Sequence, residues 1–164
     1  MGERGFSLVE LLVTIGIMGL LLTLATLDFG QYLRKSQVDR QVKELYADVE
    51  DARTRAALTK RRQSVIFAAQ QAIFRSYSSE GDLSGRLLDT KQLAAAVTTS
   101  WDSSTSIEFD SKGLMSDPTN IKVICVTTNE DAAYDALIIS PVISKMGKVT
   151  DRGAPCAIAN VVQK

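Results

Sequence analysis

The stretch from Phe6 to Leu27 reads FSLVELLVTIGIMGLLLTLATL and carries a single charged residue, Glu10. An α-helix rises about 1.5 Å per residue and the hydrocarbon core of a bilayer is about 30 Å thick, so a helix of this length can span a membrane. A secretory signal peptide fits poorly, because its apolar run is usually only about 7–15 residues long and ends at an A-x-A-like cleavage site. The stretch therefore predicts an N-terminal membrane helix.

Glu10 is the unusual residue of this helix, since a carboxylate within a membrane helix costs on the order of 2.5–3.5 kcal/mol. One interpretation is that its side chain reaches water from a position near the membrane face. The other is that a positive group neutralises Glu10 when the helix packs among other helices. The residue pattern leaves both interpretations open.

The segment from Gly5 to Leu12, GFSLVELL, lies within the first residues of the chain and precedes the apolar helix. It resembles the processing motif of type IV prepilins. The resemblance implies cleavage between Gly5 and Phe6 by a membrane prepilin peptidase, followed by N-methylation of the new Phe6 amine. It also implies that Glu10 pairs with the Phe6 amine of a neighbouring subunit, which would set the axial register of a filament.

The chain from Gln31 to Gln63 contains neither proline nor glycine, and its apolar residues recur at alternating spacings of four and three. This spacing predicts an amphipathic continuation of the helix to Arg62. Such a stripe needs a surface to cover, either in a coiled coil or on the domain that follows, and packing on that domain is favoured. The stripe consists of Val38, Val42, Leu45, Val49, Ala52 and Ala56.

Short β-like runs separated by turn residues follow the helix, which predicts an antiparallel sheet. Ser64–Ala69 and Ala72–Tyr77 form a plausible hairpin, while Lys91–Val97 is ambiguous between helix and strand. The other predicted strands are Thr105–Asp110, Ile121–Thr127, Ala136–Ser140, Met146–Thr150 and Ala157–Val162. The expected fold is α+β, with a long N-terminal helix packed on an antiparallel β-sheet head.

This pattern, together with the resemblance to prepilins, predicts four segments. Residues 1–5 are a prepilin leader, and residues 6–27 are the transmembrane or filament-core half of the helix. Residues 28–62 are its amphipathic half, and residues 63–164 are a β-rich head in the periplasm or outside the cell. The last third of the chain also resembles the GspH/FimT branch of minor pilins, from Ile107-Glu108-Phe109 and the strand Val123–Thr127 to Ile143–Val149.

Cys125 lies in a predicted core strand, and Cys156 lies near the C-terminus. The resemblance places the head outside the cytoplasm, where disulfides persist. The two residues then either form a disulfide or remain an unrelated pair with Cys125 buried, and the spacing leaves both possibilities open.

The composition disfavours most catalytic chemistry. There is no histidine, and 19 Lys and Arg residues balance 19 Asp and Glu residues. This removes the commonest general base and the commonest metal ligand. Since no nucleophile–base pattern is present either, a membrane-anchored enzyme is disfavoured, and the sequence predicts no catalytic residues, no cofactor and no metal site.

Some members of the branch that this chain resembles bind DNA during natural transformation, so two basic regions raise the alternative of a DNA-binding minor pilin. Near the C-terminus, Lys145, Lys148, Arg152 and Lys164 oppose only Asp151. The basic helix end from Arg53 to Arg62 is interpreted mainly as a solvated helix terminus, with a contact patch for an acidic partner or for DNA phosphates as the alternative. Phosphate binding usually recruits several clustered cations, so this signal is thin.

The leading hypothesis is therefore a structural one: a minor pilin or pseudopilin of a type IV pilus or type II secretion filament. Its expected partners are prepilin peptidase, other pilins or pseudopilins and the inner membrane, with DNA as a further possible partner. Its expected location is the bacterial inner membrane as a single-pass protein with a periplasmic head, and then the filament.

Overall fold

The computed structural model describes residues 7–79, 81–101, 106–118 and 120–163, apart from the side chains of residues 24–28. The chain divides into two compact units, one that extends to Arg34 and one formed by Lys35–Lys164. Among the described residues, no helix contains an apolar segment long enough to cross a membrane.

Helix α1 runs from Leu8 to Thr59, and no proline or glycine interrupts it from Gln31 onward. It ends shortly before the predicted end at Arg62. The reason is that Lys60 adopts a left-handed backbone conformation with a φ of 54°. A left-handed residue after the last helical turn stops the helical hydrogen-bond pattern.

The apolar stripe of α1 packs on the β-strands of the second unit, as predicted, and its members occupy the main hydrophobic core. Val49 and Ala56 are fully buried, and Leu45 is nearly so. Burying a valine or leucine side chain contributes about 1.5–3 kcal/mol, so this face fixes the helix on the sheets. The remaining stripe residues, also buried, are Val38, Val42 and Ala52.

The described part of the chain after α1 forms two antiparallel sheets. The strands are β1 (Gln63–Ala68), β2 (Gln71–Ser76), β3 (Arg86–Gln92), β4 (Val97–Thr99), β5 (Ile107–Phe109), β6 (Lys122–Val126), β7 (Ala136–Ile139), β8 (Ser144–Val149) and β9 (Val161–Gln163). The first sheet has the order β3-β2-β1-β5, and the second has the order β4-β6-β7-β8-β9. The predicted α+β fold with an antiparallel head is confirmed, with two sheets in that head.

The predicted hairpin is present as β1 and β2, with Val65 opposite Phe74. Strands β3 and β4 were not predicted from the sequence. All residues of β3 are exposed and β4 has only three residues, so neither shows the apolar alternation that marks a half-buried strand. The ambiguous segment Lys91–Val97 is neither a helix nor one strand. It holds the end of β3, an irregular connection and the first residue of β4.

The second sheet has apolar residues on both faces because each face is covered. One face packs toward α1 in the main core, whose members include Ile124 and Leu137. The other face forms a smaller cluster with the C-terminal segment, including Val123, Ile138 and Val161. The 3-10 helix Ile158–Asn160 leads into β9 within this covering segment.

Candidate functional site

Glu10 lies in the first turn of α1 with its side chain exposed. This turn is held by a hydrogen bond from the Leu11 N–H to the Ser7 carbonyl oxygen at 3.2 Å. The N-terminal end of the helix dipole favours a carboxylate at this position. Gly5 and Phe6 lie outside the described residues, so their processing stays a prediction.

The helix around Glu10 is apolar and exposed on every side. The exposed fractions of its large apolar side chains range from 51% at Val13 to 79% at Leu8. A helix that is apolar all round needs an apolar environment, either lipid or other helices. The residues are Leu8, Val9, Leu11, Leu12, Val13, Ile15, Ile17, Met18, Leu20, Leu21 and Leu22.

Two threonines in the same stretch satisfy their hydroxyl groups within the helix. The Thr14 Oγ1 donates to the Leu11 carbonyl oxygen at 2.8 Å, and the Thr23 Oγ1 donates to the Leu20 carbonyl oxygen at 2.8 Å. No described residue provides a hydrogen bond or an ion pair to Glu10. Within the described part of the chain, Glu10 is therefore an exposed carboxylate in an apolar stretch, with no hydrogen-bond or ion-pair partner.

The structure brings together two of the four C-terminal cations, and it places carboxylates beside them. The Lys148 Nζ lies 2.6 Å from an Asp131 carboxylate oxygen, and the Arg152 guanidinium lies 3.4 Å from the buried Asp135 carboxylate. The hydrogen bond and charge of Lys148 lower the pKa of the Asp131 carboxyl below its ordinary value. The Val149 N–H donates to Asp135 at 2.6 Å. The cations at this site are thus largely neutralised.

Lys145 does not join this cluster. It lies three positions before Lys148, so the two side chains leave β8 on opposite faces. The Lys145 Nζ donates to the Gln163 side-chain oxygen at 3.0 Å. Lys164 lies outside the described residues. The structure therefore does not assemble these four cations into one positive surface in its described part.

Arg53 is a buried arginine that sequence reasoning assigned to the solvated side of α1. Its guanidinium donates to the carbonyl oxygens of Pro141 at 2.8 Å and Ser140 at 3.0 Å, and it lies 3.4 Å from the Glu50 carboxylate. It also stacks over the Phe109 ring with a centroid distance of 4.8 Å. Burial lowers the pKa of Arg53, an effect that Glu50 opposes. Arg53 ties the helix to the β7–β8 turn and to β5.

Two further polar side chains of α1 bind loops of the head. The buried Gln41 donates to the Ala95 carbonyl oxygen at 2.8 Å and accepts from the Ala95 N–H at 2.7 Å. Asp39 accepts from the Tyr134 N–H at 2.7 Å. Both residues adjoin members of the apolar stripe, and that position is the only sequence signal that would have found them.

Cys125 and Cys156 form a disulfide in the structure, one of the two arrangements that the sequence left open. The bond joins β6 to the C-terminal segment before β9, beside the smaller cluster. On the chain-entropy model, a cross-link closing a loop of about 30 residues stabilises a domain by about 3–4 kcal/mol. The disulfide therefore attaches the C-terminal segment covalently to the second sheet.

Residues 1–26 match the family described as the prokaryotic N-terminal methylation motif. The sequence has no significant match among curated proteins. Among solved structures, the fold is similar to the type IV minor pilin FimU of Pseudomonas aeruginosa, with a TM-score of 0.53 and 13% sequence identity. That similarity covers 70% of this chain and 91% of the FimU chain.

Proposed function

We propose that this chain, a type IV minor pilin-like protein, is a structural subunit of a type IV pilus or of the related type II secretion filament. The methylation motif and the pilin fold support a subunit role rather than an enzymatic one. Its assignment to the GspH/FimT branch is part of the same proposal. The observation that carries the proposal is the motif at residues 1–26, placed on a helix whose apolar side chains are exposed on every side.

Processing is the first step of this function. Prepilin peptidase cuts between Gly5 and Phe6, releases the leader of residues 1–5, and leaves a Phe6 amine that is then N-methylated. Residues 6–27 anchor the protein in the inner membrane as a single pass before assembly. The disulfide between Cys125 and Cys156 supports a head in the periplasm, because structural disulfides persist in oxidising compartments.

Docking through Glu10 is the second step. Cleavage creates a positive amine on Phe6, four positions before Glu10. In an assembled filament, the Glu10 carboxylate pairs with the Phe6 amine of a neighbouring subunit. Since an unpaired carboxylate among packed apolar helices is costly, this pair selects the axial position at which a subunit enters. The exposed state of Glu10 and the lack of a partner among the described residues support this role.

The N-terminus of the mature protein tests the first step. Mass spectrometry of membranes with and without prepilin peptidase should find a methylated Phe6 terminus only when the peptidase is present. Gly5→Leu should block cleavage, while Gly2→Leu in the leader should not. A chain that keeps Met1 in the presence of the peptidase would refute the proposal.

Filament incorporation tests the second step. Glu10→Val should lower the fraction of subunit in sheared filaments at least about tenfold, which corresponds to about 1.4 kcal/mol of lost docking free energy. Thr14→Val is the matched control, because it removes a polar group from the same exposed helix without removing a charge. Normal entry of the Glu10→Val protein would refute the pairing with Phe6.

DNA binding through Lys145, Lys148, Arg152 and Lys164 stays a secondary hypothesis. The carboxylates of Asp131 and Asp135 beside two of these cations give it little support. A mobility-shift assay on the full chain at two salt concentrations tests it, since phosphate contacts weaken steeply as salt rises. Absence of salt-sensitive binding would remove the hypothesis.

A further inference from the structure

Among the arginines at the basic end of α1 in the described structure, Arg61 forms no ion pair with a carboxylate. Arg55 pairs with Asp51 at 2.6 Å, and Arg62 pairs with Glu108 at 3.1 Å. Arg61 is exposed and forms no ion pair with any described residue. Its hydrogen-bond donors therefore remain available at the surface.

A second unpaired arginine, Arg86, lies beside it at the start of β3. It is also exposed, and no described residue forms an ion pair with it. Arg61 and Arg86 line the same two adjoining cavities, of about 420 and 340 Å³, and Ser76 lines both as well. The larger cavity adds the hydroxyl-bearing Thr59 and the apolar Leu88. These cavities, with their two arginines, are called the Arg61–Arg86 site.

We propose that the Arg61–Arg86 site docks a carboxylate-bearing segment of another protein subunit. A guanidinium offers five N–H donors in a planar fork that matches the two oxygens of a carboxylate. Two such groups with a nearby serine hydroxyl provide more donors than a single carboxylate can use, so an acidic stretch fits better than one residue. This inference rests on the proposed function, because it assigns the partner to the same envelope assembly.

The surroundings of the site favour a polypeptide over a continuous polyanion. Asp82 lines the smaller cavity, but its carboxylate is occupied by hydrogen bonds from Ser78, Ser84 and Gly85. These hydrogen bonds, first that of the Ser78 N–H, hold the pKa of Asp82 far below its ordinary value, so this carboxylate stays negative. A chain of phosphates extending across the site would meet that charge.

An apolar side chain at the site also suits a protein partner. Leu88 lines the larger cavity and is 36% exposed. Exposed leucines rimmed by charged residues are typical of protein interfaces, whereas phosphate contacts do not use them. The partner segment should therefore carry apolar residues next to its carboxylates.

Site-specific photo-crosslinking of the full-length chain in its own cells tests this inference. A photoreactive amino acid at Leu88 should capture another envelope protein through a segment that contains Asp or Glu. The same group at Leu114, an equally exposed leucine outside the site at 41%, should not. Arg61→Glu combined with Arg86→Glu should lower the adduct at least about tenfold, because opposed charges become like charges. Lys112→Glu, an exposed lysine near Leu114, should leave it unchanged.

A charge exchange completes the test. Replacing the captured carboxylates by lysine should restore the adduct with the doubly reversed protein. The inference is overturned by an adduct no stronger at Leu88 than at Leu114, or by one that survives the double reversal. It is also overturned by duplex DNA binding of the purified chain that the double reversal abolishes. The Phe6 terminus is read in the same cells, so a failure of processing is distinguished from a failure of this site.

Discussion

Replacing Arg53 by methionine tests how the helix is fastened to the head. The substitution keeps the unbranched stem but removes the guanidinium, so the Ser140 carbonyl oxygen loses this hydrogen bond and the Pro141 carbonyl oxygen keeps the one from the Met115 N–H. The Glu50 carboxylate also loses its ion pair at 3.4 Å, although it keeps a hydrogen bond from Ser144. Leaving part-buried acceptors without a charged donor costs about 1–3 kcal/mol. We expect a loss of that size in the free energy of unfolding.

The matched control is Arg55→Met, two positions further along the same helix. Arg55 pairs with Asp51 at 2.6 Å, but both side chains are more than half exposed. Exposed pairs at this spacing contribute only about 0.3–0.5 kcal/mol. The two variants have the same change in charge and side-chain type, so their difference isolates the buried contacts of Arg53.

Urea unfolding of the oxidised full chain in detergent measures the free energy of unfolding of both variants. Trp101 is the single tryptophan, and it packs edge-on against Phe67 in the main core at a centroid distance of 6.5 Å. Its fluorescence therefore reports loss of the head structure. If Arg53→Met is no more destabilising than Arg55→Met, the buried hydrogen bonds of Arg53 do not hold the helix on the sheets.

Two further predictions concern polar contacts of the head. Gln41→Ala should lower the free energy of unfolding by about 1–3 kcal/mol, because the Ala95 N–H and C=O lose their partners. The control Gln37→Ala, at an exposed position of the same helix, should change the free energy of unfolding little. Equal effects of the two substitutions would contradict the role of Gln41. For Asp82, the lowered pKa means that its ionised form stabilises the fold above the ordinary carboxyl pKa of about 4, and that this stability is lost as pH falls toward the depressed value. Urea unfolding from pH 7 down to pH 2 should therefore show a constant deficit for Asp82→Asn down to about pH 4 that shrinks below it, and a deficit independent of pH would refute the assignment.

The stripe on α1 and the hairpin of β1 and β2 were predictable because local spacing encodes them. Residues that recur every three or four positions must share a face of a helix, and two apolar runs joined by a short connection must pair. Strand β3 was not predicted because its sequence lacks such a local pattern. Its backbone pairs with β2, but its side chains remain exposed, so its sequence carries no pattern of burial.

The candidate site residues also fall into those that a local motif predicts and those whose surroundings depend on tertiary contacts. Gly5, Phe6 and Glu10 were predicted from a contiguous motif that needs no tertiary contact to be recognised. The C-terminal cations also appeared as a cluster in sequence, but the fold sets Lys148 and Arg152 against Asp131 and Asp135. Because a sequence gives charges and not their distances, a local excess of cations does not predict a positive surface.

The sequence by itself determined the apolar N-terminal helix, the position of Glu10 within it and the α+β class, because each depends on periodicity or on neighbouring residues. Only the tertiary structure decided that Arg53 is buried, that Cys125 meets Cys156 and that Arg61 lies beside Arg86. These outcomes depend on contacts between segments far apart in the chain. The energy of such a contact is set by distance and by the loss of water around it, and neither can be read from the order of residues.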